Sequence, residues 1–513
     1  MKEQQTPRAL ISVWDKDGIG DLALALTDAG YEIISSSGTA KYLRGIGIAV
    51  TEVADLTGLP SILGGRVKTL HPKIMGGILA RRGHSDDKKD VKEHGIPLID
   101  FVVCTLYPFE ETAKKSASKE ELIEKIDIGG VSLIRAAAKN HERVAVVTDP
   151  ADYELMARAV RNGDITDNMR KNLAIKAFLV TSSYDATIYD GLTRELGEPE
   201  SSIGAYSRDL MIPLRKEQDL RYGENPYQKA AIYMPTLAGK VFEQHSGKEL
   251  SYNNMLDLDT LLKGTEIFKG KCACIIVKHT TPCGVAQGVN DSDAYEKALA
   301  SDPISAFGGI AGFTQKIDAK LAEKLFHHFF EVIAAPAFDD GALKILGAKK
   351  NLRLLTITGN YNPKYQITAN RTGFLVQNET LPPKPSLSEG RWEGTPRPDL
   401  WDELIFAWRT VSIVKSNAIV LANDFASIGI GSGFPNRVDA ASYAIAQAGH
   451  KAKGSVMASD AFFPFPDTVE LAAEAGVTAI IQPGGSIKDP EVAQRAVELG
   501  ISMFVGGPRT FRH

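Results

Sequence analysis

Cysteine is scarce, with 4 in 513 residues. So few cannot form the disulfide framework of a secreted scaffold. Cys272 and Cys274 are spaced C-x-C rather than C-x-x-C, and Cys104 stands alone on an apolar run; they read as small buried residues. No run of roughly 18 apolar residues occurs, which excludes a membrane-spanning helix of the usual kind. Neither sign of charge dominates. The 59 Lys and Arg face 63 Asp and Glu, a formal net charge of -4. That balance draws in neither nucleic acid nor an anionic membrane, so any phosphate binding must be local. H-E-x-x-H, the Walker A loop and the dinucleotide fingerprint are all absent. Gly429-Ile-Gly-Ser-Gly433 is glycine-rich at the wrong spacing. Met1 to Pro7 is polar and lacks an apolar signal segment, so Asn378-Glu-Thr380 means little as a glycosylation pattern, and a cytoplasmic location is expected.

What is present is ordinary globular composition in a chain too long for one core, so two or more domains are expected. The first ~150 residues alternate strand and helix. Apolar runs at Arg8 to Val13, Tyr31 to Ser35, Asp100 to Thr105 and Arg143 to Thr148 read as strands. Gly18 to Gly30 and Thr39 to Arg44 read as helices between them. Continuous apolar strands separated by helices predict a parallel sheet covered on both faces. Helices are expected from Ala151 to Leu196, and Gly197 to Gly204 reads as a linker.

The remainder is also α/β. Ile275-Ile-Val-Lys278 recurs as Ser412-Ile-Val-Lys415, and Ser301 to Phe307 recurs loosely as Ser459 to Phe463. These pairs suggest two related halves. The stretch from Asn378 to Pro398, rich in Pro, Glu and Gly, reads as the loop between them.

Several loops carry groups suited to chemistry. Ser12-Val-Trp-Asp-Lys16 ends the first strand, and Ser35-Ser-Ser-Gly-Thr39 ends the second and opens a helix. Free N–H groups at a helix start seat phosphate, though the same turn serves equally as an N-cap. In Gly64-Gly-Arg-Val-Lys-Thr-Leu-His-Pro72 the glycines permit close backbone approach to a ligand. Arg66, Lys68 and Thr69 add donors there. Tyr107 and Asp127 follow strand ends, where ligands of open α/β sheets bind. Arg135 and Lys139 stand four apart on one helix. Further on, Arg221-Tyr-Gly-Glu-Asn-Pro226 is a dense polar turn. Lys278 and His279 end an apolar strand, where they combine an electrostatic donor with a proton acceptor.

Seven of these segments, in this order, carry a resemblance. They are Gly64 to Pro72, Asp127-Ile-Gly-Gly130, Ile134-Arg-Ala-Ala-Ala-Lys-Asn-His141, Leu220 to Pro226, Val277-Lys-His279, Asp302-Pro-Ile-Ser-Ala-Phe-Gly-Gly309 and Lys415-Ser-Asn417. From Ala9 to His513 the chain resembles the bifunctional AICAR transformylase/IMP cyclohydrolase family of purine biosynthesis. The resemblance implies formyl transfer from 10-formyltetrahydrofolate to AICAR, then dehydrative closure of FAICAR to IMP. It implies a methylglyoxal-synthase-like parallel-sheet domain over 1–198. A duplicated cytidine-deaminase-like α/β domain would follow over 204–513, split near 378–400. It further implies a homodimer with transformylase sites shared across subunits and leaves open a structural potassium ion, while the missing ligand spacing around Pro282-Cys283 and the lack of a His/Cys cluster predict that no divalent metal is needed.

Residue roles follow from the same resemblance. His279 would act as base and Lys278 would hold the oxyanion. AICAR contacts fall on Arg221, Tyr222, Asn254, Phe307, Gly308, Glu331, Asn417, Arg437, Phe462 and Arg509, with Asp467 at the folate or formyl site. Lys68, Tyr107, Asp127 and Lys139 match the cyclohydrolase positions, with Lys139 and Tyr107 expected near the developing oxyanion and Asp127 with the attacking amide. Phosphate would sit on Ser12, Lys16, Ser36, Gly38, Thr39, Arg66 and Thr69. Thr281, Thr105, Ser37 and Tyr227 depart from the usual residues, Asn, Asn, Gly and His. Two other classes compete. A deaminase-fold hydrolase needs a zinc triad, and the second Cys after Pro282-Cys283 and the preceding H-x-E are missing. A nucleotide-sensing module would lack the set Lys68, Tyr107, Asp127 and Lys139.

Overall fold

The structure is a computed structural model describing residues 6–115, 118–197, 206, 208–359 and 363–513. Most of the expected linker, from residue 198 to 204, lies outside the described residues. The chain divides into two compact units. One comprises Met1–Arg215 with Met234–Leu237, the other Lys216–Tyr233 with Ala238–His513.

The first unit is built on a five-stranded sheet. Its order is Thr51–Glu52, Glu32–Ser35, Arg8–Ser12, Phe101–Cys104, Ala145–Val147, and every pairing is parallel. Ala9, Leu10, Ile11, Phe101, Val102 and Val103 are wholly buried, as central strands covered on both faces require. Helices Ile19–Asp28 and Tyr153–Asn162 pack together, and Gly129–Lys139 packs against Asp167–Leu196 and Pro72–Leu79. Because the strands run parallel, Ser12, Ser35, Cys104 and Val147 all end at one edge of the sheet. Among the elements that went unread in the sequence are a short strand and an exposed helix. Thr51–Glu52 is too short to show alternation, and helix Ser85–Glu93 buries no residue and so shows no apolar face.

The second unit holds a twelve-stranded mixed sheet whose halves repeat one topology outward from the centre. The first half runs Thr281–Gln287, Ala273–Lys278, Ile310–Phe313, Val332–Ala335, Arg353–Ile357, Phe242–Ser246. The second runs Ala426–Gly431, Ile419–Asn423, Val456–Ser459, Ala479–Gln482, Ser502–Val505, Arg391–Glu393. Each half has an antiparallel hairpin, three mutually parallel strands and an antiparallel edge strand. The halves meet where Ala286 pairs with Ala426.

The duplication is real, but the strings that suggested it are not equivalent. Ile275 to Lys278 lies in a strand, whereas Ser412 to Lys415 follows helix Trp401–Val411 and precedes the strand. The topological partner of Ala273–Lys278 is Ile419–Asn423. Ser301 to Phe307 links helix Asp291–Ser301 to Pro303–Ala306, while Ser459 to Phe463 begins at the end of strand Val456–Ser459. The expected loop from Asn378 to Pro398 also needs correction. Asn378 closes a hairpin formed by Tyr365–Asn370 and Gly373–Asn378, and Arg391–Glu393 is the edge strand of the second half.

Candidate active sites

In the first unit, the loop after Leu63 winds through positive φ at Leu63, Gly64 and Gly65. Gly65 is needed twice over: its φ is +96°, and a Cβ there would lie 3.0 Å from Lys68 Cε. The Lys68 stem thus lies over Gly65. Thr69 is buried, and its Oγ1 reaches the start of helix Gly129–Lys139, 3.1 Å from where a Gly129 Cβ would stand. Asp127 sits just before that helix. Its Oδ1 accepts the Gly130 N–H at 2.7 Å, and its own N–H donates to Tyr184 Oη at 2.9 Å. Gly130 admits no side chain, because a Cβ would fall 2.6 Å from Asp127 Oδ2. Burial raises the Asp127 carboxyl above its ordinary range; the amides of Gly130 and Tyr107 and the Lys68 ammonium pull it back. Burial and the same carboxylate raise the Tyr107 phenol. The Tyr107 ring stands edge-on to Trp14 at 5.1 Å. Lys68, Tyr107 and Asp127 therefore share one electrostatic neighbourhood.

Lys139 ends helix Gly129–Lys139, ten residues of rise or about 15 Å along the axis from the Gly129 end. Among the phosphate candidates, Ser36 and Gly38 lie at the N-terminus of helix Ser37–Gly45. Ser37 holds φ +52°, the left-handed conformation that explains why glycine is usual there. Thr39 is turned inward, its Oγ1 donating to the Val13 carbonyl at 3.0 Å. Ser12 ends its strand. Lys16 Nζ donates to the Trp14 carbonyl, and exposed Arg66 pairs with Glu124.

In the second unit Lys278 ends its strand and His279 begins a two-residue turn before Thr281. Both line a cavity of about 320 Å3 with Thr281, Asp302, Ser432 and Tyr443. Lys278 Nζ donates to the Phe307 carbonyl at 2.6 Å. That bond joins the Lys-His strand to the loop of Phe307 and Gly308. A second group gathers Asn254, whose Nδ2 donates to Glu331 Oε2 at 2.8 Å, and Arg353, 3.5 Å from the same carboxylate. Arg221 lies over the Tyr222 ring at 4.7 Å and donates to its hydroxyl at 2.9 Å. A third group centres on wholly buried Asp460, which accepts from Arg437 at 2.8 Å and from Ser416 Oγ at 2.6 Å. Arg437 also donates to the Phe462 carbonyl at 3.0 Å, and Asn417 Nδ2 donates to the carbonyl of cavity-lining Phe434 at 2.9 Å. Arg509 precedes Thr510, whose N–H donates to the Asp460 carbonyl at 2.9 Å. Asp467 opens a helix and accepts locally from the Thr468 N–H. Sequence reading missed Arg353 and Asp460. Each is a buried charge whose partner is distant in the chain, so no local pattern announces it.

Family models and curated relatives resemble the chain along most of its length. A family model described as "MGS-like domain" matches residues 18–132, and one described as "AICARFT/IMPCHase bienzyme" matches 137–447. The "Bifunctional purine biosynthesis protein PurH" of Bacillus cytotoxicus is 47% identical over 515 residues, covering 99% of each chain. Its namesakes from Halalkalibacterium halodurans and Desulfitobacterium hafniense are each 47% identical, over 526 and 517 residues, again covering 99% of each chain. The crystal structure of ForH covers 37% of this chain and 98% of its own at 36% identity, with a TM-score of 0.33. An MGS-like sheet unit followed by a large mixed α/β unit defines the class. The chain belongs to the AICARFT/IMPCHase bienzyme family. It is a bifunctional enzyme of purine biosynthesis that carries out the last two steps of IMP synthesis.

Proposed function

We propose that formyl transfer takes place at Lys278 and His279 and ring closure at Lys68, Tyr107, Asp127 and Lys139. Domains would span 204–513 and 1–198 respectively. The observation that carries the first assignment is the placement of Lys278 and His279 together on one cavity wall, with Lys278 tied to the Phe307 loop.

The aromatic amine of AICAR is a poor nucleophile and must lose a proton as it attacks. His279 takes that proton while the amine nitrogen bonds to the formyl carbon of 10-formyltetrahydrofolate. The Lys278 ammonium faces the oxyanion that forms. The imidazolium returns that proton to the folate nitrogen as its bond to the formyl carbon breaks, leaving tetrahydrofolate and FAICAR. Arg221, Tyr222, Asn254, Phe307, Gly308, Glu331, Asn417, Arg437, Phe462 and Arg509 would hold AICAR, with Asp467 toward the formyl donor. In ring closure the carboxamide nitrogen attacks the formamide carbonyl and water leaves. Asp127, its carboxyl raised by burial, is suited to take the amide proton, and Lys139 and Tyr107 to steady the developing oxyanion, with Lys68 the remaining catalytic position. Ser12, Lys16, Ser36, Gly38, Thr39, Arg66 and Thr69 would seat the phosphate. We further propose a cytoplasmic homodimer. No helix among the described residues is long and apolar enough to cross a membrane.

His279→Ala tests the transfer site. Formyl transfer should fall by about 10²–10⁴-fold, the usual worth of a general base. Closure of supplied FAICAR and the melting temperature should hold. A histidine serving only the fold would lower all three together, and wild-type transfer would remove His279 from the mechanism.

A further inference from the structure

The turn presenting His279 is held in an unfavourable conformation. His279 and Thr280 have φ of +53° and +62°, and the strands pair at Lys278 and Thr281. Tight hairpins of this kind favour Asn and Gly, and a β-branched residue such as Thr280 is a genuine outlier there. Something outside the turn must hold it. The group beneath it is Asp257, on helix Tyr252–Ile267, whose Oδ1 accepts the Thr280 N–H at 2.5 Å. The His279 amide faces the same carboxylate. Burial raises this carboxyl, and the two amides and the His279 ring pull it back.

The duplicated half repeats the device. Asp424 and Phe425 form the corresponding turn, with φ of +52° and +54° between paired Asn423 and Ala426. Beneath it Glu403, on helix Trp401–Val411, accepts the Phe425 N–H at 3.2 Å through Oε1. Gly284 and Gly429, each four residues beyond its turn, let a helix carbonyl approach equally closely: a Cβ at either would lie 2.0 Å from the carbonyl of Ala298 or Ala444. The same scaffold thus occurs twice, once under a Lys-His pair and once under Asn423-Asp424.

We propose that Asp257 is a positioning residue for formyl transfer, fixing the His279–Thr280 turn so that the imidazole faces the reacting amine, and that Glu403 is its counterpart under a turn that performs no chemistry. This rests on His279 as the base. Both carboxylates hold the fold, but only one holds it beneath reacting atoms.

The twin supplies an internal control. Asp257→Ala, Asp257→Asn and Asp257→Glu would be compared with Glu403→Ala in the full-length protein. The readouts are kcat and KM for formyl transfer, closure of FAICAR and melting temperature. Displacing a catalytic group by about 1 Å can cost of order 10²-fold. Asp257→Ala should therefore lower kcat for transfer by about 10–100-fold with little change in the AICAR KM. Asp257→Asn, which keeps the volume and one acceptor, should fall between, and Asp257→Glu should recover part of the loss. Glu403→Ala should lower the melting temperature comparably yet keep wild-type kcat at a temperature where it is folded. Wild-type kcat in Asp257→Ala, or equal losses in Asp257→Ala and Glu403→Ala, would overturn the proposal. His279→Ala assayed alongside separates the two readings: wild-type transfer there would instead overturn the assignment of the base.

Discussion

Burial lifts the Asp127 carboxyl against the pull of two amides and the Lys68 ammonium. The folded state therefore binds this proton more tightly than the unfolded chain. Asp127 favours folding below the ordinary carboxylate pKa and loses that contribution as pH rises through its raised one. Asp127→Asn removes the titration. Between pH 4 and 7 the melting temperature of the wild type should lose ground relative to the variant. Closure of FAICAR should fall by about 10²–10⁴-fold, because the amide cannot take the proton. A constant difference in melting temperature across that range, or wild-type closure, would contradict the account. At this scale the sequence was only partly legible. Lys68, Tyr107 and Asp127 sit in loops, and Lys278 and His279 at a strand end, whose composition drew attention. Asp257 and Asp460 do not, since each acquires its role from a partner that only the fold brings near: Thr280 lies 23 residues from Asp257, and Arg437 lies 23 from Asp460.

The parallel strands of the first unit were readable because Ala9 to Ile11 and Phe101 to Cys104 are buried on both faces and so are continuously apolar. The repeat in the second unit was detected through the wrong strings. Its equivalences lie in chemistry and geometry rather than letters, with Asp257 matched to Glu403 and a Thr-bearing turn to one bearing Phe. The glycines are the clearest shared mark. Gly429, in the glycine-rich run set aside as a ligand loop, is a packing residue, as is Gly284. A methyl group at either would press into a helix backbone that cannot swing away. Gly284→Ala and Gly429→Ala should each destabilise the second unit by about 1–3 kcal/mol, the usual cost of overpacking. Denaturant midpoints measured on each variant check this. A change under about 0.5 kcal/mol, as for a neutral surface site, would show that the sheet and helix do not pack this closely.

Across the whole molecule, the residues proposed for the two reactions fall in separate compact units with their own sheets. Near-balanced charge leaves phosphate recognition to local loops, as the composition required. The most direct test is to supply the purified full-length protein with AICAR and 10-formyltetrahydrofolate in a strong chelator, and to follow product. We expect stoichiometric tetrahydrofolate and IMP, with FAICAR as the intermediate that accumulates when Asp127 is replaced by Asn. Folded protein that forms no IMP, or that accumulates FAICAR in the wild type without closing it, would contradict the account.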